Sequence, residues 1–189
     1  MTLFQLIMLG ISAFFAYQVY QHIQTLKDPQ EASTSPEFDA EALVAKADEA
    51  METGDLQKAL AIYKEADIKA PKDSETLFKM GYVLAQQNRD DEALEYYQEA
   101  LELDEQNTYI HQALASLYRK MKAYEKAQEH LERSLEIDDK NPITYFNYGN
   151  LLQDMGEKQK AKEMYNKALE LDSTLEAAKE ELQKLEEMA

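Results

Sequence analysis

The side chains that could carry out catalysis or bind a metal ion are few in this chain. Its three histidines are His22, His111 and His130, and it contains no cysteine. In the sequence these histidines lie far apart, and none has a second histidine or an acidic residue at the spacing of metal ligands. We interpret His111 as a buried or half-buried packing residue. The chain also lacks a glycine-rich phosphate loop. We therefore predict that the protein is not an enzyme and has no catalytic residue, metal, cofactor or small-molecule substrate.

The composition excludes several classes of partner. The chain has 189 residues, of which 44% are hydrophobic and 30% charged, and its net charge is −17. Such an acidic surface repels phosphate backbones and anionic lipid headgroups. We expect no nucleic-acid partner, and a protein rather than a lipid surface as the partner of the charged part of the chain.

The first 23 residues differ from the rest of the chain. Residues 3–23 contain no Lys, Arg, Asp or Glu, and Tyr17 and Tyr20 lie near one end of the segment. A helix of this length spans about 31 Å, close to the hydrocarbon thickness of a bilayer. The pattern predicts a transmembrane helix over residues 3–23. A cleaved signal peptide and a helix buried against other subunits are the alternatives, although a basic leading region and a convincing cleavage site are lacking.

The segment after the apolar run gives weak information on topology. Lys27 follows the run and no Lys or Arg precedes it, which favours a cytoplasmic location for the rest of the chain. We expect a single-pass protein of the cell (inner) membrane. Residues 24–38 contain Pro29 and Pro36 with two serines and a threonine between them. They are predicted to form a linker with a reach of roughly 15–20 Å.

The remaining residues repeat with a period of 34. Alanines recur at this spacing, followed four residues later by a large residue and preceded twelve residues earlier by a small one. The alanines are Ala59, Ala93, Ala127 and Ala161; the large residues are Tyr63, Tyr97, Leu131 and Tyr165; the small ones are Ala47, Gly81, Ala115 and Gly149. Apolar residues in each unit fall into two helical stripes separated by a polar turn. The sequence predicts an all-α solenoid of stacked helical hairpins, in which the tyrosines fill the gap toward the next unit.

This pattern resembles the tetratricopeptide repeat (TPR) family. The resemblance covers residues 39–173, divided into units at about 40–73, 74–107, 108–141 and 142–173, and residues 174–188 are predicted to form a capping helix. It depends on the small and large residues at fixed positions, such as Gly81, Ala93 and Tyr97. Lys46 and His111 depart from the family pattern, since both stand where a large apolar residue is usual.

The resemblance implies a concave groove lined by the first helix of each unit. The groove positions predicted to bind a partner are Phe78, Tyr82, Gln86, Tyr109, Gln112, Ser116, Arg119, Lys120, Phe146 and Asn150. The same positions in the first unit hold Glu41, Val44, Asp48 and Glu52, and Asp154 follows in the fourth. The aromatic side chains are expected to anchor an extended or helical peptide, and Arg119 and Lys120 to bind a carboxylate. The alternative is that these aromatic residues belong to the core.

The predicted function is that of a membrane-anchored scaffold for protein–protein interaction, in the role of an accessory or assembly subunit of a membrane complex. The alternative is a chaperone-like or quality-control factor that binds unfolded or translocating segments. One TPR subfamily clamps the C-terminal carboxylate of chaperones with Lys and Asn. Val44 and Asp48 stand at those positions here, so binding of a chaperone tail is not expected.

Overall fold

The computed structural model describes residues 40–187, which form nine α-helices. In chain order the helices are α1 (Ala40–Glu52), α2 (Leu56–Lys69), α3 (Ser74–Gln86), α4 (Asp90–Leu103), α5 (Thr108–Lys120), α6 (Tyr124–Ile137), α7 (Pro142–Asp154), α8 (Lys158–Leu171) and α9 (Glu176–Glu187). Successive helices pair as four hairpins, α1–α2, α3–α4, α5–α6 and α7–α8, and α9 packs on α8. The prediction of an all-α solenoid is confirmed.

The stacking of the hairpins places the first helices on the inner side of the solenoid. Each hairpin contacts the next through its second helix, α2 on α3, α4 on α5 and α6 on α7. In addition, α3 packs against α5 and α5 against α7, more closely than successive second helices pack against one another. Helices that approach one another more closely lie on the concave side of a curved stack, so α3, α5 and α7 line the concave surface.

Side-chain caps fix where several of the helices begin. Asp55, Asp73, Asn107 and Asn141 each accept a hydrogen bond from a backbone N–H in the first turn of the following helix. Pro142 occupies the first turn of α7, where its missing N–H costs nothing. Asp and Asn are favoured at this position because their short side-chain oxygens reach the free N–H groups of the first turn.

The turns inside the four hairpins repeat one backbone conformation. Gly54, Asn88, Lys122 and Gly156 all have positive φ, between 58° and 82°. These residues are 34 apart, so the left-handed position recurs once in each hairpin. Glycine and asparagine adopt this conformation readily, whereas lysine does so at a cost of roughly 1–2 kcal/mol. The third turn is therefore the least favourable of the four.

The core of each hairpin is built where its two helices cross. A Cβ added to Gly81 would lie 2.7 Å from the Tyr97 ring, and one added to Gly149 would lie closer still to the Tyr165 ring. These rings were predicted to fill the gap toward the next repeat. Each packs onto the glycine of its own hairpin, and the Tyr97 ring also faces the space between α3 and α5. Ala93 is fully buried at the same crossing. Small residues occur here because the ring and the facing backbone need the space.

The predicted membrane span lies outside the described residues. Within residues 40–187, no helix combines the length and the apolar composition needed to cross a bilayer. The transmembrane helix over residues 3–23 and the linker over residues 24–38 precede the described part of the chain and stay predictions.

Candidate functional site

The concave surface contains an open cavity of about 520 Å³ between α3 and α5, which we call the groove. Its lining includes most of the residues predicted to bind a partner, namely Phe78, Tyr82, Gln86, Tyr109, Gln112, Ser116, Arg119 and Lys120. Ala85, Tyr97, Ala113, Leu117 and Asn147 complete the lining. The structure thus brings these predicted residues together, while Phe146 and Asn150 do not line the groove.

Two tyrosines are the most exposed aromatic residues of the groove. The exposed fraction is 66% for Tyr109 and 41% for Tyr82. Gln86 Nε2 donates a hydrogen bond of 3.0 Å to the Tyr82 hydroxyl and so holds that ring along α3. Phe78 is half-buried, with its ring centroid 5.7 Å from that of Tyr97. Tyr82 and Tyr109 can therefore contact a partner, whereas Phe78 forms the floor.

Gln112 was predicted as a binding residue, but its side chain joins two repeats. It is only 7% exposed, and its Nε2 donates a 2.8 Å hydrogen bond to Thr144 Oγ1 on α7. Thr144 Oγ1 also lies 3.0 Å from Ser134 Oγ on α6, and all three residues are buried. Gln112 is thus committed to the interface between the third and fourth repeats, because a buried amide without its partner would be destabilising.

The two cations at the end of α5 were predicted to bind a partner's carboxylate, and in the structure each is paired with a carboxylate of the chain itself. Arg119 Nη1 lies 2.8 Å from Asp154 Oδ2 on α7. Lys120 Nζ lies 2.7 Å from Asp90 Oδ1 and 3.0 Å from Asn88 Oδ1. Both charges are paired within the chain, so they hold neighbouring repeats together and offer less attraction to an acidic peptide.

Phe146 and Asn150 take part in packing the fourth hairpin. The Phe146 ring centroid lies 5.9 Å from that of Tyr165. The Tyr165 hydroxyl lies 2.8 Å from Asn150 Oδ1 and 2.8 Å from Gln153 Oε1. One O–H can donate to only one of these oxygens, so the other amide must present its NH₂ group to the phenol. Burial, followed by the charge of Glu181, raises the pKa of Tyr165.

The predicted groove position Asp48 in the first repeat has the same internal role. The Tyr63 hydroxyl donates to Asp48 Oδ1, and Lys79 Nζ on α3 lies 2.9 Å from Asp48 Oδ2. Burial raises the pKa of Tyr63, and its hydrogen bond to the Asp48 carboxylate raises it further. Val44 is half-buried against the core, while Glu41 and Glu52 are exposed.

The structure also brings together two histidines, His111 and His130, that lie far apart in the sequence. His111 Nδ1 on α5 lies 3.0 Å from His130 Nδ1 on α6, and His111 Nε2 lies 3.2 Å from the Glu105 carbonyl oxygen. The His130 ring stacks on Tyr118, with centroids 5.6 Å apart and planes at 11°. Burial lowers the pKa of both histidines, and for His130 the neighbouring His111 lowers it further.

The register of the two helices in the hairpin could have been used to predict this pair from the sequence. In an antiparallel hairpin, residues at similar distances before and after the turn come level with each other. His111 stands eleven residues before Lys122, which marks the turn, and His130 stands eight residues after it. The distance between the two histidines along the sequence was therefore a poor guide to their separation in space.

The histidine pair lies beside a second cavity, of about 490 Å³, which we call the histidine cleft. It is lined by Gln98, Leu101, Glu102, Glu105, His111, Leu114, His130 and Arg133. These residues belong to α4, the α4–α5 turn, α5 and α6. The lining comes mainly from second helices, so the histidine cleft and the groove are separate sites. Arg133 Nη1 pairs with Glu136 at 2.8 Å.

Comparison with solved structures shows the same fold in several proteins. A crystal structure of MamA superposes with a TM-score of 0.65 at 23% identity, covering 75% of this chain and 82% of that one. A tetratricopeptide repeat protein from Parabacteroides merdae gives 0.66 at 26% identity, covering 79% and 59%. The first TPR of Spaghetti (RPAP3), bound to the HSP90 peptide SRMEEVD, gives 0.57 at 23% identity, covering 61% and 91%.

Comparison by sequence identifies the family. No curated protein matches this chain. Two sequence models, both described as tetratricopeptide repeat, match residues 50–117 and residues 107–174. Together they span residues 50–174, which is well over half of the chain and includes both sites described above. The repeat period, the helical hairpins and these matches show that the chain belongs to the tetratricopeptide repeat family.

Proposed function

We propose that the groove between α3 and α5 binds an extended or helical segment of a partner protein. The observation that carries this proposal is the position of Tyr82 and Tyr109, two exposed aromatic side chains on facing helices of one cavity. An exposed aromatic pair over an open apolar floor suits apolar side chains of a bound peptide. TPR domains bind protein or peptide partners, and this supports assigning such a role to the groove.

The charges of the groove favour a particular kind of segment. Arg119 and Lys120 are paired with Asp154 and Asp90, and the chain has a net charge of −17. A strongly acidic peptide would have to compete with these internal pairs and approach an acidic surface. We therefore propose a segment with apolar anchors and neutral or basic flanking residues. The HSP90 peptide bound to the first TPR of Spaghetti (RPAP3) has the sequence SRMEEVD, with more acidic than basic residues. We propose a different class of peptide for this chain.

We further propose that residues 3–23 anchor the chain in a membrane, so that the groove holds a subunit of a membrane complex during its assembly. This part of the proposal has its support in the uncharged composition of that segment alone. A chaperone-like factor that binds many client segments is the second candidate, and the exposed tyrosines favour it equally. The two candidates differ in the number and stoichiometry of the bound proteins.

The experiment compares partners of the full-length chain with those of a groove variant. The chain is cross-linked briefly, purified in mild detergent and analysed by mass spectrometry; each partner found is then purified and its affinity measured. We expect the double variant Tyr82→Ala with Tyr109→Ala to bind at least tenfold more weakly. The matched control is Ile68→Ala on α2, because Ile68 is 77% exposed and lies outside the groove.

The outcomes separate the proposals. One or two stoichiometric membrane proteins support the complex subunit, and a broad substoichiometric set supports the client-binding factor. Full affinity of the double variant, with an unchanged helical circular-dichroism signal, would contradict binding in the groove. Loss of helicity in the double variant would contradict it as well, because it would mean that the tyrosines support the fold.

A further inference from the structure

The histidine pair has the geometry of two ligands of one metal ion. Two nitrogens bound to the same ion at about 2.0–2.1 Å, with an angle between about 90° and 109° at the metal, are about 2.8–3.4 Å apart. The separation of His111 Nδ1 and His130 Nδ1 is 3.0 Å, within that range. No other pair of side chains described above places two nitrogens of metal-binding type so close together.

The hydrogen bonds around His111 determine which of its nitrogens can act as a ligand. The Glu105 carbonyl oxygen can only accept a hydrogen bond, so the proton of neutral His111 lies on Nε2, which donates to it over 3.2 Å. His111 Nδ1 therefore carries a lone pair and accepts from His130 Nδ1–H. Histidines that bind metals commonly donate their other N–H to a carbonyl or carboxylate in this way, which fixes the ring and its tautomer.

We propose that His111 and His130 bind a divalent transition-metal ion, of the Zn²⁺, Ni²⁺ or Cu²⁺ class, through their Nδ1 atoms. On binding, the ion replaces the hydrogen bond that His130 Nδ1–H donates to His111 Nδ1. His130 remains neutral on binding because its Nδ1 proton transfers through solvent to Nε2. This site is independent of the groove and of any peptide bound there.

The surroundings of the pair are suited to a cation that is also bound by water. Glu102 and Glu105 line the histidine cleft together with Arg133, whose charge is paired with Glu136. The cleft is open to solvent and has room for water around an ion. Within residues 40–187 no group of three or more His, Cys, Asp or Glu side chains is arranged as metal ligands. The protein therefore supplies two ligands and water supplies the rest. Imidazole nitrogens select against Mg²⁺ and Ca²⁺, which prefer oxygen ligands.

The test uses the full-length chain in mild detergent after treatment with a chelator. Zn²⁺ is titrated by calorimetry into the wild type, His130→Gln and His22→Gln. We expect one saturable site per chain with an affinity in the micromolar range, weakened at least tenfold in His130→Gln. The control His22→Gln removes the third histidine of the chain and should leave the affinity unchanged.

A second measurement keeps the proposal testable if His130→Gln does not fold. Cu²⁺ bound to the wild type should show two nitrogen ligands in its electron paramagnetic resonance spectrum, and a tenfold excess of Mg²⁺ should not displace it. The proposal is overturned if binding fails to saturate below millimolar Zn²⁺, if His22→Gln rather than His130→Gln abolishes it, or if Mg²⁺ displaces the ion. A spectrum with a single nitrogen ligand would overturn it too.

Discussion

The second and third hairpins share one backbone arrangement but fill it with different chemistry. At the crossing of α3 and α4, the ring of Tyr97 lies on Gly81. At the equivalent crossing of α5 and α6, the corresponding residues are Leu131 and Ala115, both buried. In the second hairpin a large ring fills this space opposite a glycine, which has no Cβ. In the third hairpin a smaller side chain fills it opposite the methyl group of an alanine. In the first hairpin Tyr63 and Ala47 stand at these positions, and both are fully buried. The common requirement of the crossing is therefore a small residue on the first helix, opposite a large residue that can be a ring or a leucine.

The same two hairpins differ in their polar interior. Beside the third hairpin lie a buried hydrogen-bonded set, Gln112, Thr144 and Ser134, and the histidine pair. The only buried polar side chain of the second hairpin is Thr76, whose hydroxyl donates 2.6 Å to Asp73 within the first turn of α3. The second hairpin also hydrogen-bonds to its neighbours, through Lys79 to Asp48 and through Gln98 Nε2 to the Tyr118 hydroxyl, but these contacts are only partly buried. The hydrogen bond from the third hairpin to Thr144 is buried.

The largest effect is expected from Leu131→Ala. Leu131 is 1% exposed, so the shortened side chain leaves a cavity at the crossing of α5 and α6. We expect the free energy of unfolding to fall by about 2–5 kcal/mol, measured by urea denaturation. Leu103→Ala is the control, because Leu103 is 44% exposed at the end of α4. Equal losses in the two variants would contradict a tightly packed third hairpin.

A smaller loss is expected from Thr144→Val, which keeps the volume but removes the hydroxyl between Gln112 and Ser134. We expect a cost of about 1–3 kcal/mol, since buried polar groups lose their partner. Gln112→Leu combined with Thr144→Val should cost less than the sum of the single variants, because both ends of one hydrogen bond are then removed. Strict additivity in this double-mutant cycle would indicate that the 2.8 Å contact does not couple the third and fourth repeats.

The histidine pair should make the stability of the metal-free protein depend on pH. Burial lowers the pKa of His111 and His130, so the unfolded chain takes up protons first as the pH falls below the ordinary value near 6.5. The free energy of unfolding should therefore decrease between pH 7.5 and 5.5. Of the nearby charges, Arg133 and Lys126 act in the same direction and Glu129 opposes them.

The control for this pH effect is the double variant His111→Gln with His130→Gln, studied with a chelator present. Its unfolding free energy should change less over the same interval, as followed by urea denaturation. An equal change in both proteins would assign the pH dependence to groups outside the pair.

The smallest effects are expected from removing single tyrosine hydroxyls. Tyr165→Phe should cost about 0.5–1.5 kcal/mol because the hydroxyl hydrogen-bonds with Asn150 or Gln153. Tyr97→Phe should change the unfolding free energy by less than about 0.5 kcal/mol, since the second hairpin uses the ring rather than the hydroxyl. The unfolding free energies of the two variants are compared by thermal and urea denaturation. A larger loss for Tyr97→Phe than for Tyr165→Phe would contradict the interpretation that the Tyr97 ring, and not its hydroxyl, stabilises the second hairpin.

The sequence predicted the helices and most of the groove, since both follow from features within one repeat. A period of 34, capping residues such as Asn107, and small residues such as Gly81 are sufficient to place the hairpins. Contacts between repeats were not predicted. Arg119 with Asp154 and Lys120 with Asp90 join residues about one repeat apart, at distances that depend on how the hairpins stack. The period gives the number of hairpins but not their relative rotation, so the pairing of these charges could not be inferred.

The separation of the apolar core into two clusters has a mechanical consequence. Leu152, Tyr165 and Leu185 form one cluster and buried residues from Leu43 to Leu151 form another, and half-buried Tyr148 packs against both. Each hairpin contacts mainly its neighbours, so a pulling force on the C-terminal end is resisted by one interface at a time. The last hairpin and α9 would detach together, and the resistance would come from Leu151, which belongs to the larger cluster, and from the hydrogen bonds of Thr144 to Gln112 and Ser134.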